Sequence, residues 1–153
     1  MQAPRHSKLR IDIVIIMSID YGDVRTGIAV CDKFEMLASP ICIIEQRNPE
    51  KLIEEISKLA EKHSVEQFVV GLPKNMDSSV GERALKCKEF AQQLSDSTGI
   101  EAVMRDERLS TVSAHNVLNA TNTRGKKRKA VVDQVAAVMI LQDYIDFRKN
   151  IKQ

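Results

Sequence analysis

The sequence predicts an α/β domain in which a three-stranded antiparallel meander comes first and helices then alternate with strands. Two patterns carry this. From Ile13 to Glu45 three apolar runs are separated by short polar turns, the signature of a meander. Beyond Asn48-Pro49, helical periodicity alternates with short apolar runs, the pattern of a sheet extended by parallel strands. At 153 residues, 43% hydrophobic and 29% charged, the chain matches one globular domain with an adequate core. The domain is placed over residues 13–149, with 1–12 as a leader and 150–153 as a tail.

Ile13 to Ile19 is apolar apart from Ser18, with no strict alternation, so it reads as a strand buried on both faces. Asp20 closes it, a costly placement for a carboxylate unless it is hydrogen-bonded, paired or on a metal. Gly22 and Gly27 bracket a polar turn, and Ile28-Ala29-Val30 returns as the second strand. Met36 to Glu45 is the third, where Pro40 points to an edge strand or a bulge. Asn48 caps a helix over Glu50 to His63, with Pro49 in its first turn. Val65 to Val70 forms a buried parallel strand that opens into a loop at Gly71-Leu72-Pro73. Ser79-x-x-Glu82 is a capping box for a second helix ending at Thr98-Gly99. Ile100, Ala102 and Met104 alternate along a strand that runs into Asp106-Glu107-Arg108. Ser110 caps a short helix through Leu118, a basic loop follows, and Val132 onward opens a long final helix.

Composition narrows the chemistry. The net charge is +2, yet Arg124-Gly125-Lys126-Lys127-Arg128-Lys129 alone carries five positive charges, leaving about −3 on the rest. The positive charge is local. Such a run suits a phosphate backbone, whereas a solvated loop is the plainer reading when the run is taken alone. With no Trp, two Tyr and four Phe, base stacking on aromatic platforms is not the main means of holding single strands. Cys31, Cys42 and Cys87 are odd in number and set in apolar stretches, so they read as small core residues of a cytosolic protein. His6, His63 and His115 lack ligand spacing and read as surface or packing residues, which argues against a histidine base. Arg5, Lys8 and Arg10 before an apolar run resemble a signal peptide, but the run is too short and lacks a cleavage site. Met17 offers an alternative start. No segment is long enough to cross a membrane.

Three element ends offer acids: Asp20, then Asp106 or Glu107, then Asp133. Asp133 shares a helical stripe with Ala137, Ile140 and Tyr144, so it lies on the inward face. Its plainer role would be to complement the helix dipole in the first turn. Active sites of α/β sheets gather beyond the carboxyl ends of the strands, and three carboxylates there repel one another without a cation. Hard oxygen ligands suit Mg2+ or Mn2+, and two such ions can drive phosphodiester hydrolysis. Asp106 and Glu107 face opposite ways on a strand, and periodicity does not choose between them. The glycine spacing Gly22 to Gly27 matches a P-loop, but Ile28 and Ala29 stand where its Lys and Ser/Thr belong. A strand, Asp, Gly and hairpin also resemble the phosphate loop of actin-like ATPases, but 153 residues leave no room for their second domain.

Four motifs together resemble the RuvX/YqgF family. They are Asp20-Tyr21-Gly22 with Arg25 and Gly27; Gly71-Leu72-Pro73-x-Asn75-Met76-Asp77; Asp106 to Thr111; and Val132-Asp133-x-x-Ala136-Ala137 with Ile140-Leu141-Gln142. The match runs in order from Ile15 to Tyr144. Ser78 departs from it, standing where the family often has Gly, and the leader is longer than usual. The resemblance implies an RNase H-like three-layer fold, with a mixed five-stranded sheet and helices on both faces. It also implies a metal-dependent acidic site on Asp20, Glu107 and Asp133, with Asp106 as second choice for a metal ligand. Nucleic acid would be held by Arg25, Asn75, Arg108, Arg124, Lys126, Lys127, Arg128 and Lys129. The activity implied is a cytoplasmic nuclease on structured RNA, maturing the 5′ end of the small-subunit ribosomal RNA precursor. The alternatives are resolution of four-way DNA junctions, for which two-fold symmetry favours a homodimer, and a nucleic-acid-binding module that does not cut.

Overall fold

The computed structural model describes residues 13–72, 81–106 and 125–152, with 106, 125–134, 151 and 152 given as backbone. The chain order is β1 (Ile16–Asp20), β2 (Arg25–Cys31), β3 (Ala38–Glu45), α1 (Pro49–Lys62), β4 (Gln67–Leu72), α2 (Glu82–Thr98), β5 (Ala102–Asp106) and α3 (Gly125–Lys152). The sheet order is β3-β2-β1-β4-β5. β1 to β3 form the antiparallel meander, and β4 and β5 add to β1 in parallel. This is the mixed five-stranded sheet that the sequence predicts.

Strand parity sorts the core into two layers. Met17, Ile19, Ile28, Phe68 and Val70 pack with α1 and α2 through Leu52, Ile56, Phe90 and Leu94. Ile16, Ala29 and Val69 pack on the other face against Ala137, Ile140, Leu141 and Ile145 of α3. A strand covered on both sides needs no polar face, which explains why β1 reads as an unbroken apolar run.

Local chemistry places the boundaries. Asn48 accepts from the amides of Glu50 at 2.9 Å and Lys51 at 3.3 Å, and Pro49 begins α1. Gly99 ends α2 in the left-handed region, φ 74°. Pro40 lies on the edge strand β3, where the ladder passes from Ile28 opposite Cys42 to Ala29 opposite Pro40 and skips Ile41. Both the edge and the bulge that this proline predicts are therefore present.

Several boundaries differ from the sequence reading: β3 begins at Ala38 rather than Met36, β4 runs Gln67–Leu72 rather than Val65–Val70, and three further differences have a local cause. β1 begins at Ile16 rather than Ile13, because the ladder with β2 and β4 starts only there. The cap of α2 is Gly81, whose carbonyl accepts the first helical bond from Leu85, whereas Ser79 lies outside the described residues. The run Lys126 to Lys129 is the opening turn of α3 and not a loop. Lys, Arg and Ala are strong helix formers, and no Gly or Pro follows Gly125, so the helix starts before its apolar stripe does. The short helix predicted after Ser110 lies outside the described residues.

At the amino end of β1 a buried ion pair ties the meander to α3. Glu35, 1% exposed and held at φ 55°, accepts from Arg148 Nε at 2.8 Å and Nη2 at 3.2 Å, and from the Val14 amide at 3.0 Å. Gln142 adds a second tie: its Oε1 accepts from the Ala38 amide and its Nε2 donates to the Met36 carbonyl, each at 3.1 Å. Removing one member of such a pair leaves the other charge buried alone. Glu35→Ala is therefore expected to destabilise the domain by about 3–5 kcal/mol in urea unfolding. A loss below about 1 kcal/mol would show that Arg148 finds water once its partner is gone.

Candidate active site

Asp20 ends β1 half-buried, paired in the ladder with Gly27 of β2. Ile16 and Ser18 face α3, so parity puts Asp20 on that same face. Arg25, two residues before Gly27, shares it. The Arg25 Nε lies 3.8 Å from Glu45, while its Nη1 is buried and has no hydrogen-bond partner among the described residues. A buried guanidinium nitrogen left in that state is poised for an anion.

The turn after Asp20 is built for close approach. A Cβ on Gly22 would lie 2.0 Å from the Arg25 carbonyl oxygen, so only glycine fits. Thr26 Oγ1 accepts from the Gly22 amide at 3.3 Å across the same turn. Arg83 of α2 then clamps it, pairing with Asp23 at 2.6 Å and donating to the Tyr21 carbonyl. The Arg83 guanidinium also lies over the Tyr21 ring at 4.9 Å, and that ring stacks on Phe90 at 4.1 Å. Burial raises the Tyr21 phenol above its ordinary pKa, partly opposed by the Arg83 charge. Tyr21 is thus a neutral anchor on the α1/α2 face, while its neighbour Asp20 faces α3.

The register of α3 brings the second acid to the same edge. Ser18 Oγ, fully buried, donates to the Ala137 carbonyl at 2.6 Å, and Tyr144 donates to Gln67, which pairs with Ile16, at 3.0 Å. The helix therefore runs antiparallel to β1. From Ala137 back to position 133 it rises about 6 Å, and from Ser18 to Asp20 the strand advances about 6.6 Å. The backbone at Asp133 comes level with Asp20. Position 133 also lies in the third turn of α3, too deep for a charge there to complement the helix end.

β5 reaches the same edge two strands away, about 10 Å from β1 by strand spacing, with Asp106 in register with Leu72. Arg105 pairs with Asp143 of α3 at 2.6 Å, and Met104 packs on the opposite layer. Glu107, Asn75, Arg108 and Arg124 lie outside the described residues. Lys126, Lys127, Arg128 and Lys129 lie on the backbone of α3, ahead of Asp133. Among the described residues no three metal-ligating side chains cluster, and Asp20 is the one member of the predicted acidic set whose side chain is described. Cys31 and Cys87 are buried and Cys42 is half-buried, and none of the three forms a disulfide among the described residues.

Sequence reasoning missed two residues that shape this region. Ser18 looked like a gap in an apolar run, although a hydroxyl inside a fully buried strand needs a partner and so signals one. Arg83 gave no signal, because a charged residue in the first turn of a helix is ordinary.

A family model described as RuvX, Holliday junction resolvase, matches residues 14–147. A protein of Halothermothrix orenii named "Putative pre-16S rRNA nuclease" is 44% identical over 136 residues, covering 89% of this chain and 97% of its own. A protein of Agathobacter rectalis with the same name is 38% identical over 138 residues, covering 88% and 96%. Among solved structures, Thermus thermophilus RuvC in complex with a Holliday junction substrate superposes with a TM-score of 0.59 at 10% identity, covering 92% of this chain and 98% of its own. At that identity the likeness concerns the fold, and it agrees with the RNase H-like arrangement of sheet and helices. Among the described residues no helix is long and apolar enough to cross a membrane.

The Gly22 contact is directly testable. Gly22→Ala forces a methyl group against a backbone carbonyl and is expected to destabilise the domain by about 1–3 kcal/mol in denaturant unfolding. An unfolding midpoint equal to that of the wild type would mean that the turn opens freely.

Proposed function

The chain belongs to the RuvX family, and from that premise we propose that it is a divalent-metal-dependent nuclease. Its substrate in this reading is structured RNA, with 5′ maturation of the pre-16S ribosomal RNA as the reaction. The observation that carries the proposal is the level placement of Asp20 and position 133, set by the Ser18 to Ala137 bond. The names of the curated relatives favour RNA, and the cytoplasm is the compartment that goes with this substrate.

Asp20, Glu107 and Asp133 are the proposed metal ligands, with Asp106 in reserve. The fit rests on the donor chemistry: Asp20 is a half-buried carboxylate at the sheet edge, where the helix backbone brings a second aspartate alongside. All-oxygen donors suit Mg2+ or Mn2+ over softer metals. When bound, such ions supply an activated water and charge to offset the leaving oxygen.

The protein's own groups orient the substrate. Asp20 is held by the β1–β2 ladder and by the clamped turn that follows it, so its position is fixed before substrate arrives. Arg25 offers its unpartnered Nη1 to a backbone phosphate on the Asp20 face. Asn75, Arg108, Arg124 and the cations Lys126 to Lys129 extend that contact along the strand.

The description of the family as Holliday junction resolvase favours a second reading, cleavage of four-way DNA junctions by a homodimer presenting two sites. One experiment separates these readings from a module that binds without cutting. Wild type and Asp20→Asn are incubated with labelled precursor RNA and with a DNA junction, each with and without Mg2+ or Mn2+. Metal-dependent cutting of RNA, reduced on the order of a thousandfold in the variant, is expected. Cutting of the junction alone would select the second reading, and binding without cutting the third. Arg25→Ala is expected to lower kcat/KM about tenfold or more through a lost charge-assisted contact, with Arg25→Lys recovering part. Equal activity of all three proteins would remove Arg25 from the site.

A further inference from the structure

We propose that a second phosphate-binding subsite lies on the opposite face of the sheet from the acidic site, formed by Arg47 and Lys86. It rests on the nuclease reading and extends it, because it states the path that the nucleic-acid strand follows. Between α1 and α2, beside the turn after Asp20, lies a hollow of about 320 Å³ walled by Tyr21, Phe90 and Asp23. Arg47, in the β3–α1 connection, and Lys86, on α2, flank it from separate elements. Both are exposed, and neither forms an ion pair among the described residues.

The surrounding charges decide the class of ligand. Asp23 is already neutralised by Arg83 at 2.6 Å, so it opposes an anion weakly. Glu89 is the one lining acid without an ion pair among the described residues, which leaves the hollow with a net positive charge. Both faces of the Tyr21 ring are taken, one by Phe90 and the other by Arg83, so a nucleobase has no aromatic surface to stack on. Two free cations without a stacking platform suit a backbone phosphate.

Position supplies the rest. Asp20 and Tyr21 are adjacent in the chain yet face opposite layers, so the hollow begins where the acidic site ends. The basic opening of α3 lies on the Asp20 side. A strand held by both basic groups crosses the carboxyl edge of β1, over the turn that Arg83 clamps, with the scissile phosphate between two electropositive flanks.

The test compares salt dependence. Binding of a labelled precursor RNA without metal is measured between about 50 and 200 mM salt for wild type, Arg47→Ala/Lys86→Ala, Glu89→Gln and Lys58→Ala. Loss of two phosphate contacts shallows the log–log slope by about 1.4, so wild-type affinity should fall about sevenfold more than that of the double variant across this range. Glu89→Gln should bind more tightly. Lys58, further along the same inter-helical groove beside Glu54 and Asp96, should be silent. A double variant with the wild-type slope overturns the subsite, as does a Lys58→Ala effect of equal size, which would reflect net charge alone. Failure of the nuclease reading would appear differently, as an Asp20→Asn protein that cuts like wild type.

Discussion

A single buried hydrogen bond, from Ser18 Oγ to the Ala137 carbonyl, sets the relation between the first strand and the last helix. The apolar contacts around it, Ile16 and Ala29 against Ile140 and Leu141, are strong but non-directional, and they would tolerate a helix slid along its axis. A hydroxyl in a fully buried strand does not tolerate sliding. It must meet an acceptor or bear an unmet desolvation penalty, and the acceptor is one carbonyl of the helix. Because strand and helix advance similar distances between Ser18 and Asp20 and between Ala137 and position 133, that bond transmits its register to the end of the sheet. The proposed site inherits its geometry from a residue that touches none of its chemistry.

The opening of α3 runs against local rules in a way that agrees with the proposed function. Cations crowd the positive end of a helix that has no acid in its first turn, an arrangement the helix dipole disfavours. A sequence optimised for stability alone would place Asp or Glu there. Conflicts of this kind concentrate where a ligand resolves them, and a polyanionic backbone does so. The turn after Asp20 shows the same logic in sterics: Gly22 gives up side-chain packing so that the chain can fold back against the Arg25 carbonyl.

Much of the architecture was legible because its signals are local. Pro40 announced an edge strand and a bulge, Asn48-Pro49 a helix start, and Gly99 a helix end, each through backbone chemistry confined to a few residues. Asp20 stood out because a carboxylate closing an apolar strand needs a reason. The start of α3 was misplaced because hydrophobic periodicity marks only an apolar stripe, and this helix begins in sequence before its apolar stripe does. The partners of Ser18, Glu35 and Arg83 were not legible at all. Each lies more than 50 residues away in the chain, and such pairings follow from topology.

The distribution of polar ties along α3 follows from its shape. Gly125 opens the helix about three turns before the buried Ala136, so the register of the packed part carries to the proposed ligand Asp133 and to the basic run. Any tilt of the packed part is magnified toward the amino end. Apolar packing resists separation but resists tilt poorly, since its energy changes little as side chains slide. Resistance to tilt requires directional contacts spread along the axis. α3 has them at Ala137, Gln142, Tyr144 and Arg148, the last about 16 Å from the first by helical rise. The desolvation of the Glu35–Arg148 pair makes it a poor source of net stability. Its contribution is leverage: a two-pronged, oriented contact at the far end of the helix limits the angle at which the other end meets the sheet.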